Sequence, residues 1–206
     1  HKIRIPDFVI IEKPADEYPH NLNYPLIIKP AYEDGSGGID NDAVVYDHEA
    51  FSRRVNYILS DFRQPVLAEE FIAGREFNVS VLGEKDPVVL PISEIDFSEM
   101  PPELEKIVSF QAKWDPLHVA YHKTQPVCPA DIPAGIAKKI EEIALTCYEI
   151  MGVRDYARVD IRINGKNEIF VLEVNPNPDL TEGLGFMRSA EYAGFSYNDI
   201  LLKIVN

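Results

Sequence analysis

Hydrophobic and polar positions alternate most clearly toward the C-terminal end of the chain. In Tyr156-Ala-Arg-Val-Asp-Ile-Arg-Ile163, Val159, Ile161 and Ile163 fall on one side and Arg158 and Asp160 on the other, the period of a half-buried strand. Asn164-Gly-Lys-Asn167 has turn chemistry, and Glu168 to Asn175 reads as the returning strand of a hairpin. A loop of two or four residues makes the sum of paired residue numbers odd. Val159, Ile161 and Ile163 then share a face with Phe170, Leu172 and Val174, and the opposite face gathers Arg158, Asp160, Glu173 and Asn175. A loop of odd length would break that set.

Elsewhere the pattern predicts a mixture of strands and helices. Phe8 to Glu12 and Leu26 to Lys29 are short apolar runs bounded by prolines and polar residues, and both read as strands. Asp47 is placed to cap a helix running to about Ser60, with Phe51, Val55, Ile58 and Leu59 on its inner face. Val66 to Ile72 and Glu76 to Leu82 resemble two strands joined at Ala73-Gly74. In the second, Phe77, Val79 and Val81 alternate with Glu76, Asn78 and Ser80. Val88 to Ile95 continues this strand-rich section. Residues 97 to 130 show weak periodicity and several prolines, which predicts a long, partly irregular segment. A strong helix is expected from about Pro133 to Met151, with Ile136, Ile140, Ile143, Ala144, Cys147 and Met151 as its apolar stripe and Gly152 just beyond its end. Ser189 to Ala193 and Ser196 to Val205 also read as helical. The class is α+β, without internal repeats or a low-complexity linker.

Composition narrows the function classes. A chain of 206 residues can form one substantial domain or two lobes around a cleft. Its 34 acidic against 20 basic residues give a net charge of −14, which leaves no broad basic surface for nucleic acid or an anionic membrane. A nucleotide needs only a few cations placed locally. Two cysteines, Cys128 and Cys147, cannot build a disulfide framework, and no apolar run is long enough to span a bilayer, so a cytoplasmic setting is expected. The abrupt opening, His1-Lys-Ile-Arg-Ile-Pro6 without a start methionine, leads to the expectation of a domain cut from something larger.

Three segments carry candidate chemistry. Asp160, Glu173 and Asn175 offer hard oxygen ligands suited to Mg²⁺ on a nucleotide's phosphates, and Arg158 is a permanent cation able to stabilise charge on a reacting carboxyl group. A solvated face of an ordinary hairpin accounts for the same spacing. Gly35-Ser-Gly-Gly38 follows a strand ending in Lys29; its glycines permit close backbone approach, so that successive N–H groups can surround phosphate oxygens, with Ser36 adding a hydroxyl and Lys29 a charge. It matches neither G-x-x-x-x-G-K-[ST] nor G-x-G-x-x-G, and a flexible turn is the plainer reading. Phe71 and Ile72 could wall an adenine while Glu76 takes ribose hydroxyls, although a core strand with two surface acids is the plainer reading. His118 and His122 have i,i+4 spacing, but no Glu lies between them and Pro116 interrupts the segment, so ordinary histidines are expected instead of zinc ligands.

Taken in order, these pieces resemble the ATP-grasp superfamily and in particular the D-alanine–D-alanine ligase family. The resemblance rests on Leu26-Ile-Ile-Lys-Pro30 with the glycine loop, Leu67-Ala-Glu-Glu-Phe-Ile-Ala-Gly-Arg-Glu76, Phe110-Gln-Ala-Lys113, Cys128-Pro-Ala130, Met151-Gly152, Ala157-Arg-Val-Asp160 and Leu172-Glu-Val-Asn-Pro-Asn-Pro178. It covers nearly the whole chain. It implies two α+β lobes gripping ATP between their sheets, the smaller at about residues 1–76 and the larger at 77–206. It further implies Lys29 and Lys113 on nucleotide phosphates, Gly35, Ser36, Gly37 and Gly38 closing over them, Glu69, Phe71 and Ile72 around adenine, and Glu76 on ribose. Asp160, Glu173 and Asn175 would hold two Mg²⁺ ions, with Mn²⁺ an alternative, and Arg158 would stabilise the tetrahedral oxyanion. The implied activity is ATP-dependent joining of a small-molecule carboxylate and an amine through an acylphosphate.

The chain also departs from the family pattern. Family members carry an additional N-terminal domain and a nucleotide-binding lysine ahead of the small lobe, which makes that domain an expected partner; a homodimer is left open. Asp179 stands where the family usually has glycine, Leu180-Thr-Glu-Gly-Leu184 replaces a serine-containing segment, and Trp114 replaces a frequent tyrosine. A related carboxylate–amine ligase is therefore expected in preference to one making D-alanyl-D-alanine. The alternative is a non-catalytic, regulatory ATP-binding module.

Overall fold

A computed structural model describes residues 2–14 and 21–205. By contact the chain divides into two compact units, one of His1–Ile5, Ala73–Asp96 and Pro126–Asn206, the other of Pro6–Ile72 and Phe97–Gln125. These units differ from the expected division at residue 76 in three places. His1–Ile5 fall with residues 73–96, the break comes at Ala73, one residue before a new strand begins, and the segment 97–125 joins residues 6–72. Ser36 Oγ donates to Val108 O at 2.7 Å and Glu105 N donates to Asn41 Oδ1 at 2.7 Å, which ties that segment to the glycine loop and its sequel.

The unit containing residues 6–72 holds an antiparallel sheet of β1 (Phe8–Ile11), β2 (Leu26–Pro30), β3 (Val44–Val45) and β4 (Val66–Glu70), in the order β1-β4-β2-β3. Helix α1 (His48–Tyr57) starts where expected, because Asp47 accepts a bond from Ala50 N at 2.8 Å. It runs on through a wider π-helical turn, Ile58–Phe62, and ends at Arg63 in the left-handed conformation. Phe51, Val55 and Ile58 are buried against Leu26, Ile28, Val66 and Ala68, as their spacing predicts. The weakly periodic stretch supplies two five-residue helices, α2 (Phe110–Trp114) and α3 (Val119–Lys123). His118 caps α3, its Nδ1 accepting from Ala120 N at 3.1 Å, and the His122 ring meets Pro116 O at 2.8 Å, so both histidines serve the local backbone.

The other unit is built on β5 (Gly74–Leu82), β6 (Val88–Val89), β7 (Ser93–Asp96), β8 (Gln125–Val127), β9 (Tyr156–Asn164) and β10 (Ile169–Asn175). Their order is β10-β9-β5-β7-β8, with β6 also paired to β5. Pro91 lies between β6 and β7, which divides the run expected over 88–95. Helix α4 (Ala134–Ile150) packs Ile140, Ala144 and Cys147 on Phe77, Val79, Val81, Val159, Ile161 and Ile163. Helices α5 (Gly185–Tyr192) and α6 (Tyr197–Val205) close a smaller core through Phe186, Met187, Ala190 and Ile200. Gly74 is required at the start of β5: its φ is +152°, and a Cβ there would lie 2.0 Å from Ile163 O.

The hairpin corrects the sequence reading in one half and supports it in the other. Asn164 accepts from Lys166 N and Glu168 N, Asn167 takes φ of +60°, and the loop is odd, so Ile169 pairs with Ile163 and Val171 with Ile161. Phe170 consequently stands opposite Arg162 and not among the core residues. A β-bulge at Leu172 then shifts the register, and Glu173 pairs with Asp160, Val174 with Val159 and Asn175 with Arg158. The extra residue reconciles two demands. Ile169, Val171 and Val174 all reach the core, while Glu173 and Asn175 face away from it.

Candidate active site

Three strands of the larger sheet, β5, β9 and β10, build the polar face. The ladder sets Glu76 opposite Arg162, Asn78 opposite Asp160 and Ser80 opposite Arg158, each with an apolar neighbour buried on the α4 side. Arg158 Nε donates to Asp160 Oδ1 at 2.7 Å and Nη2 to Oδ2 at 2.8 Å, a two-pronged pair. Asn78 Nδ2 also donates to Oδ1 at 2.8 Å. Asn175 Nδ2 bridges Asp160 Oδ2 at 3.1 Å and Glu173 Oε1 at 2.9 Å. All four residues expected at this face are thus gathered on it.

Electrostatics distinguish the members. Asp160 is 7% exposed, and burial pushes its carboxyl up. Arg158 opposes that shift and Glu173 adds to it, leaving Asp160 at about 6. Burial pulls Arg158 down, but its bond to Asp160 and the fields of Asp160, Glu173 and Glu76 outweigh this, so its pKa lies above the ordinary value. Asp179 is held low by its bond from Thr181 and by the charge of Arg158, which keeps the unexpected acid ionised. Among the described residues no group of three or more His, Cys, Asp or Glu converges as a metal set. The fit to a divalent cation rests on two acids and an amide: a single NH₂ group touches both carboxylates, so their oxygens converge, and these are hard donors of the kind Mg²⁺ takes.

Glu76 lies on the same face, where Arg162 donates to its Oε2 from Nε at 2.9 Å and from Nη2 at 2.8 Å. The sequence reading did not single out Arg162 or Asn78. The available signal was their alternation with Asp160 and Glu76 along strands already assigned.

The remaining candidates belong to the other unit. Lys29 Nζ lies 2.5 Å from Glu69 Oε2. Both side chains project from the side of β2 and β4 away from α1. Phe71 continues β4, its N–H bonded to Pro25 O at 2.9 Å, and Phe71 and Ile72 are half-buried. The glycine loop turns through positive φ at Gly35, Ser36 and Gly38. Gly37 N bonds to Asp34 O at 2.8 Å. Ser36 spends its hydroxyl proton on Val108 O, so it does not stand as the outward donor the sequence suggested. Lys113 is on α2, whose Trp114 donates from Nε1 to Gly35 O at 2.9 Å. An indole can make this contact as well as pack against the loop, which gives the tyrosine-to-tryptophan departure a local role.

Comparison with known proteins identifies the family. The family model described as "D-ala D-ala ligase C-terminus" matches residues 4–206. Protein y4sG of Sinorhizobium fredii is 30% identical over 201 residues, covering 98% of this chain and 56% of that protein. The D-alanine–D-alanine ligase of Bordetella avium is 31% identical over 209 residues, covering all of this chain and 61% of the ligase. The chain thus spans less than two thirds of the length of these relatives. Among solved structures, the ATP complex of the Bacillus anthracis D-alanine–D-alanine ligase aligns with a TM-score of 0.72 at 23% identity, covering 98% of this chain and 58% of that one. The VanG D-Ala:D-Ser ligase of Enterococcus faecalis gives 0.72 at 25% identity, over 98% and 56%. No helix among the described residues is long and apolar enough to cross a membrane. The fold is ATP-grasp, and the chain belongs to the family of D-Ala–D-Ala ligase C-terminal domains.

Proposed function

We propose that this chain is the ATP-binding and catalytic part of an ATP-dependent carboxylate–amine ligase. In the first step an oxygen of the acid substrate attacks the γ-phosphorus, giving an acylphosphate and ADP. In the second an amine attacks the acyl carbon, phosphate leaves, and an amide forms. The single observation that carries this reading is the convergence of Asp160, Glu173 and Asn175 beside the forked Arg158 on one sheet face. Mg²⁺ bound there would neutralise phosphate charge during transfer. Arg158, which stays charged at any working pH, would hold the oxyanion of the second step, and Lys29 and Lys113 would bind phosphate oxygens. Glu69, Phe71 and Ile72 would receive the adenine and Glu76 the ribose, with Arg162 orienting the Glu76 carboxylate.

The relatives act as D-alanine–D-alanine and D-Ala:D-Ser ligases by name. Asp179 and Glu182 place two acids in the loop after β10, so the amine substrate here is expected to differ from those. The test uses the natural full-length protein with paired panels of acids and amines. ADP release should require both partners, and one ¹⁸O from a labelled acid should appear in the released phosphate. Nucleotide binding with no stimulation of ADP release by any pair would favour a regulatory binding module.

A further inference from the structure

Asp160 has two oxygens with four acceptor sites, and four donor bonds reach them: two from Arg158, one from Asn175 and one from Asn78. The role of Asn78 rests on the ligase reading, in which three of these bonds must give way. Arg158 is needed at the oxyanion, and Asn175 must turn its amide oxygen toward the metal. Asn78 has no such second task. It stands directly across the ladder from Asp160, in the middle of β5, whose neighbours β9 and β7 fix its backbone on both sides. Phe77 and Val79, which flank it, are fully buried. Asp160 is itself nearly buried, where a carboxylate without hydrogen bonds is costly and free to turn.

We infer that Asn78 is a positioning residue: its amide stays on Oδ1 when Arg158 leaves, and so aims the remaining lone pairs of Asp160 at the metal. Partners of this kind tune metal sites through the ligand they hold, without touching the metal.

The test compares the affinity of the 206-residue chain for a non-hydrolysable ATP analogue in excess Mg²⁺ and in EDTA. Asn78→Leu keeps the branched shape and removes the donor; Asn78→Ala serves if the larger leucine perturbs folding. The ratio of the two constants should fall by about tenfold or more in the variants, with the EDTA constant and the unfolding midpoint unchanged. An unaltered ratio overturns the inference. So does an equal loss with and without metal, which marks a purely structural residue. A parent chain whose affinity ignores Mg²⁺ overturns the ligand role of Asp160, and the inference with it.

Discussion

Arg158 and Asp160, two residues apart on one face of β9, are joined as a closed fork, with Nε on one carboxylate oxygen at 2.7 Å and Nη2 on the other at 2.8 Å. Such a pair keeps the arginine charged and fixes the orientation of the carboxylate. Only a planar guanidinium satisfies both oxygens at once.

Arg158→Lys should therefore keep the charge and lose the geometry. Turnover in the full-length protein should fall by about 10²–10³, the usual cost of an oxyanion donor. Nucleotide affinity should stay within a factor of about three, because binding does not depend on a developing oxyanion. Steady-state ADP release set beside direct nucleotide titration separates the two. Equal turnover in variant and parent would remove Arg158 from the chemistry.

A second consequence concerns the pair Glu76 and Arg162, both nearly buried. Removing one partner strands the other charge. Arg162→Met should destabilise the chain by about 3–5 kcal/mol, whereas the double replacement Glu76→Met with Arg162→Met should recover most of that loss. Urea unfolding of the three proteins checks it. If the double variant is as unstable as the single one, the pair is held by more than mutual charge.

Much of this was legible in the chain. The alternation of Val159, Ile161 and Ile163 with Arg158 and Asp160 places the site on its strand, and Asp47 marks the start of α1. The part that could not be read depends on a single inserted residue. Leu172 has the apolar character of either face, so nothing in its identity announces a bulge; the odd loop takes Phe170 out of the core, and only the bulge returns Glu173 and Asn175 to the expected face. The union of residues 97–125 with the glycine loop was equally hidden. It is made by side chains reaching carbonyl oxygens, Ser36 to Val108 and Trp114 to Gly35, which leave no periodic trace.

Gly38 offers a test of the loop. Its φ is +69°, and a Cβ would fall 2.5 Å from Pro30 Cγ and 2.9 Å from Phe62 Cζ. Gly38→Ala should cost at least the about 1–2 kcal/mol of a left-handed alanine, with the contact to Pro30 adding to it. Thermal unfolding measures the loss. A variant as stable as the parent would show that the loop adopts another backbone path.

The acid at the centre of the site gives the pH dependence. In the metal-free chain the carboxyl of Asp160 lies at about 6, above its ordinary 3.8, so the folded state prefers the proton. Its stabilising effect is complete below the unfolded value and disappears as pH rises through 6; the shift of about two units corresponds to about 3 kcal/mol. Metal-free parent should therefore lose stability between about pH 4 and 7 relative to Asp160→Asn, which has no proton to give up. Mg²⁺ acts in the opposite sense, because it binds the ionised form. The stabilisation it confers should grow by up to about tenfold in binding constant per pH unit below about 6 and level off above it. Unfolding curves with Mg²⁺ and with EDTA, for parent and Asp160→Asn across that range, measure both slopes. A parent whose metal-free stability runs parallel to that of the variant would mean that Asp160 is ionised throughout, and that Arg158 outweighs burial.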